Sequence, residues 1–235
     1  MRFQKNKGKL LAAVLLIVLL AAAFYFGGNA PGSRGWDTGS EPAGEPVLQA
    51  TSAPETPQPE MKIDPETGKD QYLTDPVPEG RPLPVEPQDV TIGSSAFRCT
   101  ISICCSTILD NLGLCDPEKT ELVPADGWIL QPLTVTFYEG ESVFNVLQRV
   151  CKQQKIHMEF ESTPIYNSAY IEGIHNLYEF DVGELSGWMY SVNDWFPNYG
   201  CSRYALQDGD VICWVYTCDL GDDVGGGYAT GNGRS

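Results

Sequence analysis

Proline is the feature that most limits where this chain can fold. Twelve of its seventeen prolines fall between Pro31 and Pro87, mixed with Glu, Ser, Thr and Gly and with few large apolar residues. Proline fixes φ and lacks an N–H, so such a stretch builds neither a helix interior nor a central strand. It also offers too little apolar surface to offset an ordering cost of about 1–2 kcal/mol per residue. Residues 29–95 therefore read as a disordered stalk, with a docking motif at Met61–Asp70 as the alternative. Folding is confined to residues 96–220, long enough for one core, and the Gly-rich residues 221–235 read as a flexible tail. No internal repeat is apparent.

Before the stalk, Arg2, Lys5, Lys7 and Lys9 precede an apolar run from Leu10 to Phe26 closed by Gly27 and Gly28. A helix of roughly 20 residues spans a bilayer, whereas the apolar region of a cleaved signal peptide is usually about 7–15 residues long. Residues 1–28 are thus expected to be an uncleaved signal anchor, although Ala21–Ala23 would suit a signal peptidase. The basic residues lie on one side of the run, which places the carboxyl-terminal domain outside a single-pass membrane anchor. No cysteine precedes Cys99, which argues against a lipoprotein.

Of the 15 basic residues four lie in that leader, and the remainder face 31 acidic ones, a formal charge of about −20. Such a surface repels phosphate backbones and excludes nucleic acid as a partner. All 8 cysteines lie in the candidate domain, a density that points to disulfides in an oxidising compartment. Cys151 with Cys201, Cys105 with Cys218, and Cys99 or Cys104 with Cys213 are candidate bridges; Cys115 is a partner or a free thiol. There is no Cys-x-x-Cys, and adjacent Cys104 and Cys105 would point to opposite faces of a strand, so no metal site is expected. The two histidines, His157 and His175, lie outside any nucleophile motif. Glu172, Glu179, Asp181 and Glu184 read as a solvated acidic face rather than as paired catalytic carboxylates. The expectation is a binding protein, not an enzyme.

Within the domain, Cys99–Cys105 and Leu133–Tyr138 read as a wide hairpin with a turn at Asp126-Gly127. Gly140-Glu-Ser142 opens a helix whose Val143, Val146, Leu147, Val150 and Cys151 share one face. Ile156–Glu161, Asn176–Phe180, Trp188–Val192 and Val211–Thr217 follow as strands. This order predicts an α+β fold, a single β-grasp-like (ubiquitin-like) domain with a mixed sheet and one main helix.

The densest signal lies between Gly187 and Cys218. Trp188, Tyr190, Trp195, Phe196, Tyr199 and Tyr204 alternate with Ser191, Asn193, Asn198 and Arg203, the composition of a site that holds a ligand by ring faces and fixes it by hydrogen bonds. Trp188, Tyr190, Asn193, Trp195, Phe196, Asn198, Tyr199 and Tyr204 are the candidate ligand-binding residues, with Trp195, Phe196 and Tyr199 at its loop edge and Trp214 and Val146 in the core. Any one of these rings could instead be ordinary core. Asp208-Gly209-Asp210 has too few oxygens for a calcium loop and reads as a turn.

The sequence Gly-Trp-x-Tyr-x-Val-Asn from Gly187, then Gly200-x-x-x-Tyr204, then Asp208-Gly209-Asp210 before a closing strand resembles the C-terminal domain of transcobalamin and intrinsic factor. It is most similar to the bacterial surface domains grouped with it as transcobalamin-like. The resemblance covers about residues 98–218. It implies a β-grasp-like fold and a tetrapyrrole-type ligand, cobalamin in the animal carriers. Those carriers clamp it against a helical barrel that has no counterpart in this sequence. The expected function is therefore a membrane-tethered extracellular domain that binds a large planar or partly apolar ligand, a corrinoid being one candidate. The alternative is a protein or cell-wall interaction module that uses the same aromatic patch.

Overall fold

The computed structural model describes residues 61–230. The expected anchor, residues 29–60 of the expected stalk and the last residues of the tail lie outside them. Among the described residues no helix is long and apolar enough to cross a membrane.

The architecture is mixed α and β, with two sheets and few helices. Strands β1 (Ala96–Cys104), β2 (Trp128–Tyr138), β6 (Gly187–Val192) and β7 (Val211–Thr217) form a four-stranded sheet in the order β2-β1-β7-β6. The hairpin read from sequence is the antiparallel pair β1/β2. The last strand lies parallel to the first, with Ile101 opposite Ile212 and Ile103 opposite Trp214. Where one sheet was expected, the chain builds two: β3 (Met158–Thr163), β4 (Ser168–Ile174) and the short β5 (Leu177–Tyr178) form a separate antiparallel sheet. Short helix α1 (Thr107–Asp110) follows β1, and α2 (Val143–Gln154) follows β2.

Helix α2 forms where its periodicity places it. Ser142 Oγ accepts from the Asn145 N–H at 3.3 Å and Asn145 Oδ1 accepts from the Ser142 N–H at 2.9 Å, a reciprocal cap that satisfies two of the free donors of the first turn. Val143, Val146, Leu147 and Val150 are fully buried against Ile101, Ile103 and Phe137. Each such aliphatic contributes about 1.5–3 kcal/mol by leaving water.

Two terminal segments expected to be free are packed. Residues 61–92 form a strap across the domain. Asp70 and Thr74 are buried, Val85 N–H donates to the Arg203 carbonyl at 2.9 Å, and the Tyr199 hydroxyl donates to the Pro82 carbonyl at 2.7 Å. Polar and ionic links, with small apolar contacts from Val77 and Pro84, hold this proline-rich stretch, which explains why its composition read as unfolded. After β7 the tail turns back through Gly221, at φ +91°, so that Gly226 sits against Phe196 and Met189; a Cβ at Gly226 would lie 2.8 Å from the Phe196 ring. Tyr228 then accepts the Phe196 N–H at 3.0 Å.

Candidate ligand-binding cleft

The loop after β6 decides the fate of the aromatic cluster. Asn193 and Asp194 both take positive φ, turning the chain so that Val192 and Trp195 exchange backbone hydrogen bonds of 2.8 and 3.0 Å. Asn193 is spent on this turn, its amide donating to the Asp210 carboxylate at 2.8 Å and its oxygen accepting the Val211 N–H at 2.9 Å. The loop then folds back over α2, where Val143 N–H reaches the Tyr204 carbonyl and Leu206 N–H the Glu141 carbonyl. Its rings are carried inward. Tyr190, Trp195, Phe196, Tyr199 and Tyr204 are all less than one-tenth exposed, as is Trp214. Tyr190 packs on Trp214 at 5.5 Å and Tyr199 stacks on Tyr204 at 6.2 Å. Trp195 and Phe196, expected at the loop edge of a site, are core residues.

Of the eight residues proposed from sequence, Trp188, Tyr190, Asn198 and Tyr199 line one cleft of about 460 Å3. Asn193, Trp195, Phe196 and Tyr204 do not. Arg203 and Trp214 line it from the same region, and further lining comes from three places that the sequence reading did not assign to a site: strap residues Lys69 and Tyr72–Asp75, the β3/β4 hairpin with Tyr166 and Tyr170, and Ala229–Thr230 of the tail. Trp188 is held by its indole N–H on the Leu177 carbonyl at 2.8 Å and by an edge contact with Tyr216. Tyr166 and Tyr170 are about half exposed, at 52% and 45%. A signal for the strap existed: Tyr72-Leu73 is an aromatic–aliphatic pair inside a proline-rich stretch, next to an Asp70/Thr74 spacing that suits a side-chain-closed turn.

Arg203 is the hub of the cleft floor. Its side chain is 1% exposed and donates to Asp70 at 2.8 Å, Glu86 at 2.8 Å and Thr74 at 2.6 Å, while the guanidinium lies 5.1 Å from the Tyr72 ring. Burial pushes the Asp70 carboxyl up, but the hydrogen bond from Arg203 and those from Thr74 and Tyr72 outweigh it, leaving the group below its ordinary range. Asn198 donates to the Asp75 carbonyl at 3.0 Å. Among the described residues three buried side-chain polar atoms lack a hydrogen-bond partner: Asn198 Oδ1, Arg203 Nε and Trp214 Nε1. All three belong to residues that line this cleft.

No disulfide joins the eight cysteines in this structure, so the anticipated bridges find no support in it. Strand faces account for one of them. Cys99 shares the core face of β1 with Ile101 and Ile103, whereas Cys213 stands opposite Ser102 on the other face. Cys104 and Cys213 share that face, but Cys104 stands opposite Val215, two positions out of register. Cys105 and Cys115 sit in a small second cluster with Tyr216, against which Cys218 packs. Cys201 and Cys151 both lie in the main core. Burial pushes the thiols of Cys105, Cys151 and Cys201 up to about 12 and those of Cys99 and Cys218 to about 11. A thiol raised in this way is not an activated nucleophile at neutral pH. Asp208-Gly209-Asp210 is a turn, with Gly209 at φ +88° and Asp208 accepting the Arg98 N–H at 2.9 Å.

Residues 140–218 match a family described as a domain of unknown function, DUF4430. No curated protein matches the chain. Among solved structures, haptocorrin in complex with Cbi is similar over 54% of this chain and 26% of its own, at 14% identity and a TM-score of 0.39. A suspected metal-binding protein from Ruminococcus gnavus is similar over 52% of this chain and 96% of its own, at 11% identity and a TM-score of 0.32. Among the described residues no group of three or more His, Cys, Asp or Glu side chains is placed to hold a metal ion.

Proposed function

We propose that this protein is a binding domain whose cleft takes a molecule with a planar or partly apolar body. The observation that carries this reading is the gathering of Asn198 Oδ1, Arg203 Nε and Trp214 Nε1 around one cleft. An unpaired buried polar group costs about 1–3 kcal/mol, and such costs persist in native folds mainly where function demands them. Tyr72, Tyr166, Tyr170 and Trp188 add ring surface to the same lining. A volume of about 460 Å3 suits a drug-sized molecule or one edge of a corrinoid. The parallel pairing of first and last strands against one main helix supports reading the domain as β-grasp-like. The raised thiols favour binding over catalysis, and the basic residues before the apolar run favour a single-pass anchor with the domain outside.

The test is a titration of the purified full chain with cobalamin, cobinamide and a panel of smaller aromatic compounds, followed by tryptophan emission and by NMR of the Trp188 indole. A saturable change at Trp188 is expected from at least one of them. No change from any compound would remove the cleft as a site. The protein or cell-wall interaction module remains the second reading, because Ile165, Tyr166, Tyr170 and Phe180 are 61%, 52%, 45% and 62% exposed.

A further inference from the structure

The three unpartnered atoms each present less than 1 Å2 to solvent, although the residues that carry them line the cleft. A molecule in the cleft reaches them only if a wall moves. Two walls belong to sheets: Tyr170 lies on β4, and Trp188 is paired with Tyr216 across β6 and β7. The strap has no strand partner. Between Lys69 and Asp75 its described hydrogen bonds to the domain run only to Arg203 and Asn198. It also carries its own turn, in which Asp70 Oδ1 accepts the N–H groups of Tyr72 and Thr74, each at 2.8 Å. Residues 69–75 can therefore leave and return as a preformed piece while Pro82, Val85 and Glu86 keep the rest of the strap on the domain.

Arg203 sets what can replace that piece. Glu86 accepts from Nη2, the nitrogen that Asp70 also uses, at 2.8 Å and stays beside the guanidinium when residues 69–75 move. The donors that Asp70 and Thr74 satisfied are then buried without acceptors, and a charged oxygen is the strongest acceptor for them, so a molecule that takes the place of Asp70 is favoured when it brings an anion. Asp70 uses Arg203 incompletely: only Oδ2 contacts the guanidinium, at Nη2, because Oδ1 is committed to the strap's own turn. The Arg203 Nε–H has no partner. A carboxylate free of the strap can accept from Nη2 and Nε together, the paired geometry that a planar guanidinium favours.

Building on the cleft reading, we propose that Asp70 is an internal stand-in for the anionic group of the ligand, and that a ligand with a carboxylate on a flat apolar body enters by displacing strap residues 69–75 from Arg203. Such a ligand gains the ring surface of Tyr166, Tyr170 and Trp188 as well as the bare Nε–H.

The experiment compares benzoate with benzamide on the full chain, reading the Arg203 Nε–H resonance and the rate of tryptic cleavage after Lys69. Benzoate should shift the Nε–H signal and accelerate cleavage, and benzamide should do neither. The Asp70→Asn variant keeps an oxygen for the turn but removes the competing charge, so it should be cleaved faster without ligand and bind benzoate at least about tenfold more tightly. Equal binding of the two probes, benzoate binding with Lys69 cleavage unchanged, or no benzoate binding to either protein would overturn the proposal. If the variant does not fold, the wild-type measurements decide alone. Neutral compounds that bind at Trp188 without releasing the strap would sink this inference and leave the cleft reading standing; silence from every compound would sink both.

Discussion

Between Tyr190 and Trp214 the rings face one another inside the domain, whereas Phe160, Tyr166, Tyr170 and Phe180 are 42–62% exposed. Both regions are aromatic-rich, but the widely exposed rings belong to the second, whereas the first shows the cleft only the edges of Tyr190, Tyr199 and Trp214. The difference lies in what surrounds each. Strand β7 has a neighbour on both sides, and the loop before it is folded over α2, so rings in that region meet other rings. The three-stranded sheet has β3 as an unpaired edge, with most of its residues exposed. Density of aromatic residues thus marks packing as readily as it marks a site, and partial exposure beside unpartnered polar atoms separates the two.

The largest expected effect tests the inner group. Trp214→Ala and Trp195→Ala should each cost about 3–5 kcal/mol, as loss of a buried large aromatic does. Thermal unfolding followed by circular dichroism should show comparable drops in Tm. A Trp195→Ala protein that melted with the wild type would return that ring to the surface and break the comparison.

Next in size is the link between strap and floor. Asp70→Asn removes a charge-assisted hydrogen bond from a side chain that is 7% exposed, and should cost about 1.5–3 kcal/mol in urea unfolding. A pH dependence goes with it. The folded pKa of Asp70 lies below its unfolded value, so its stabilisation is complete above the unfolded value of about 3.9 and is lost as pH falls through the folded one. Asp70→Asn should therefore flatten the acid limb of a stability–pH curve below about pH 4. An unchanged limb would mean that the ion pair contributes nothing to holding the strap.

The smallest stability effect belongs to the outer group. Tyr166→Ala, at a residue 52% exposed, should shift unfolding by no more than about 0.5 kcal/mol. The same variant should weaken any ligand-induced change at Trp188. If it instead destabilised the protein as Trp214→Ala does, the hairpin would be part of the core and the contrast between the regions would vanish.

Sequence legibility followed the same division. Helix α2 was readable from Val143, Val146, Leu147 and Val150 because an apolar face at that spacing has one use. The hairpin was readable from alternation and β-branched residues, and β7 from its run of β-branched and aromatic residues. Strand β4 was not, since Gly173 and an exposed Tyr170 blur its alternation; Gly173 is there because the Tyr178 ring comes within 2.7 Å of where a Cβ would stand. The strap was misread because composition measures apolar area, and Asp70, Thr74 and Glu86 are held by one guanidinium 117 to 133 positions away. In the site, Trp188 could be found as an aromatic on a candidate strand and Asn198 as an amide in the polar loop after it. Tyr72 left only the local signal of its pair with Leu73 beside the Asp70/Thr74 spacing, and Tyr170 left none, because both reach the cleft through long-range packing.

The pairing of β1 with β7 also dictates when this domain can form during synthesis. Ser102 and Ile212, hydrogen-bonded across that pair, are separated by 110 positions. As the polypeptide leaves the ribosome, Ile101 and Ile103 therefore emerge long before the strand that covers them, and the strap emerges before its arginine. High contact order of this kind slows folding and leaves apolar strands uncovered in the meantime. A nascent chain arrested before Val211 should remain protease-sensitive throughout residues 61–210, and protection should arrive in a single step once Thr217 has cleared the exit channel.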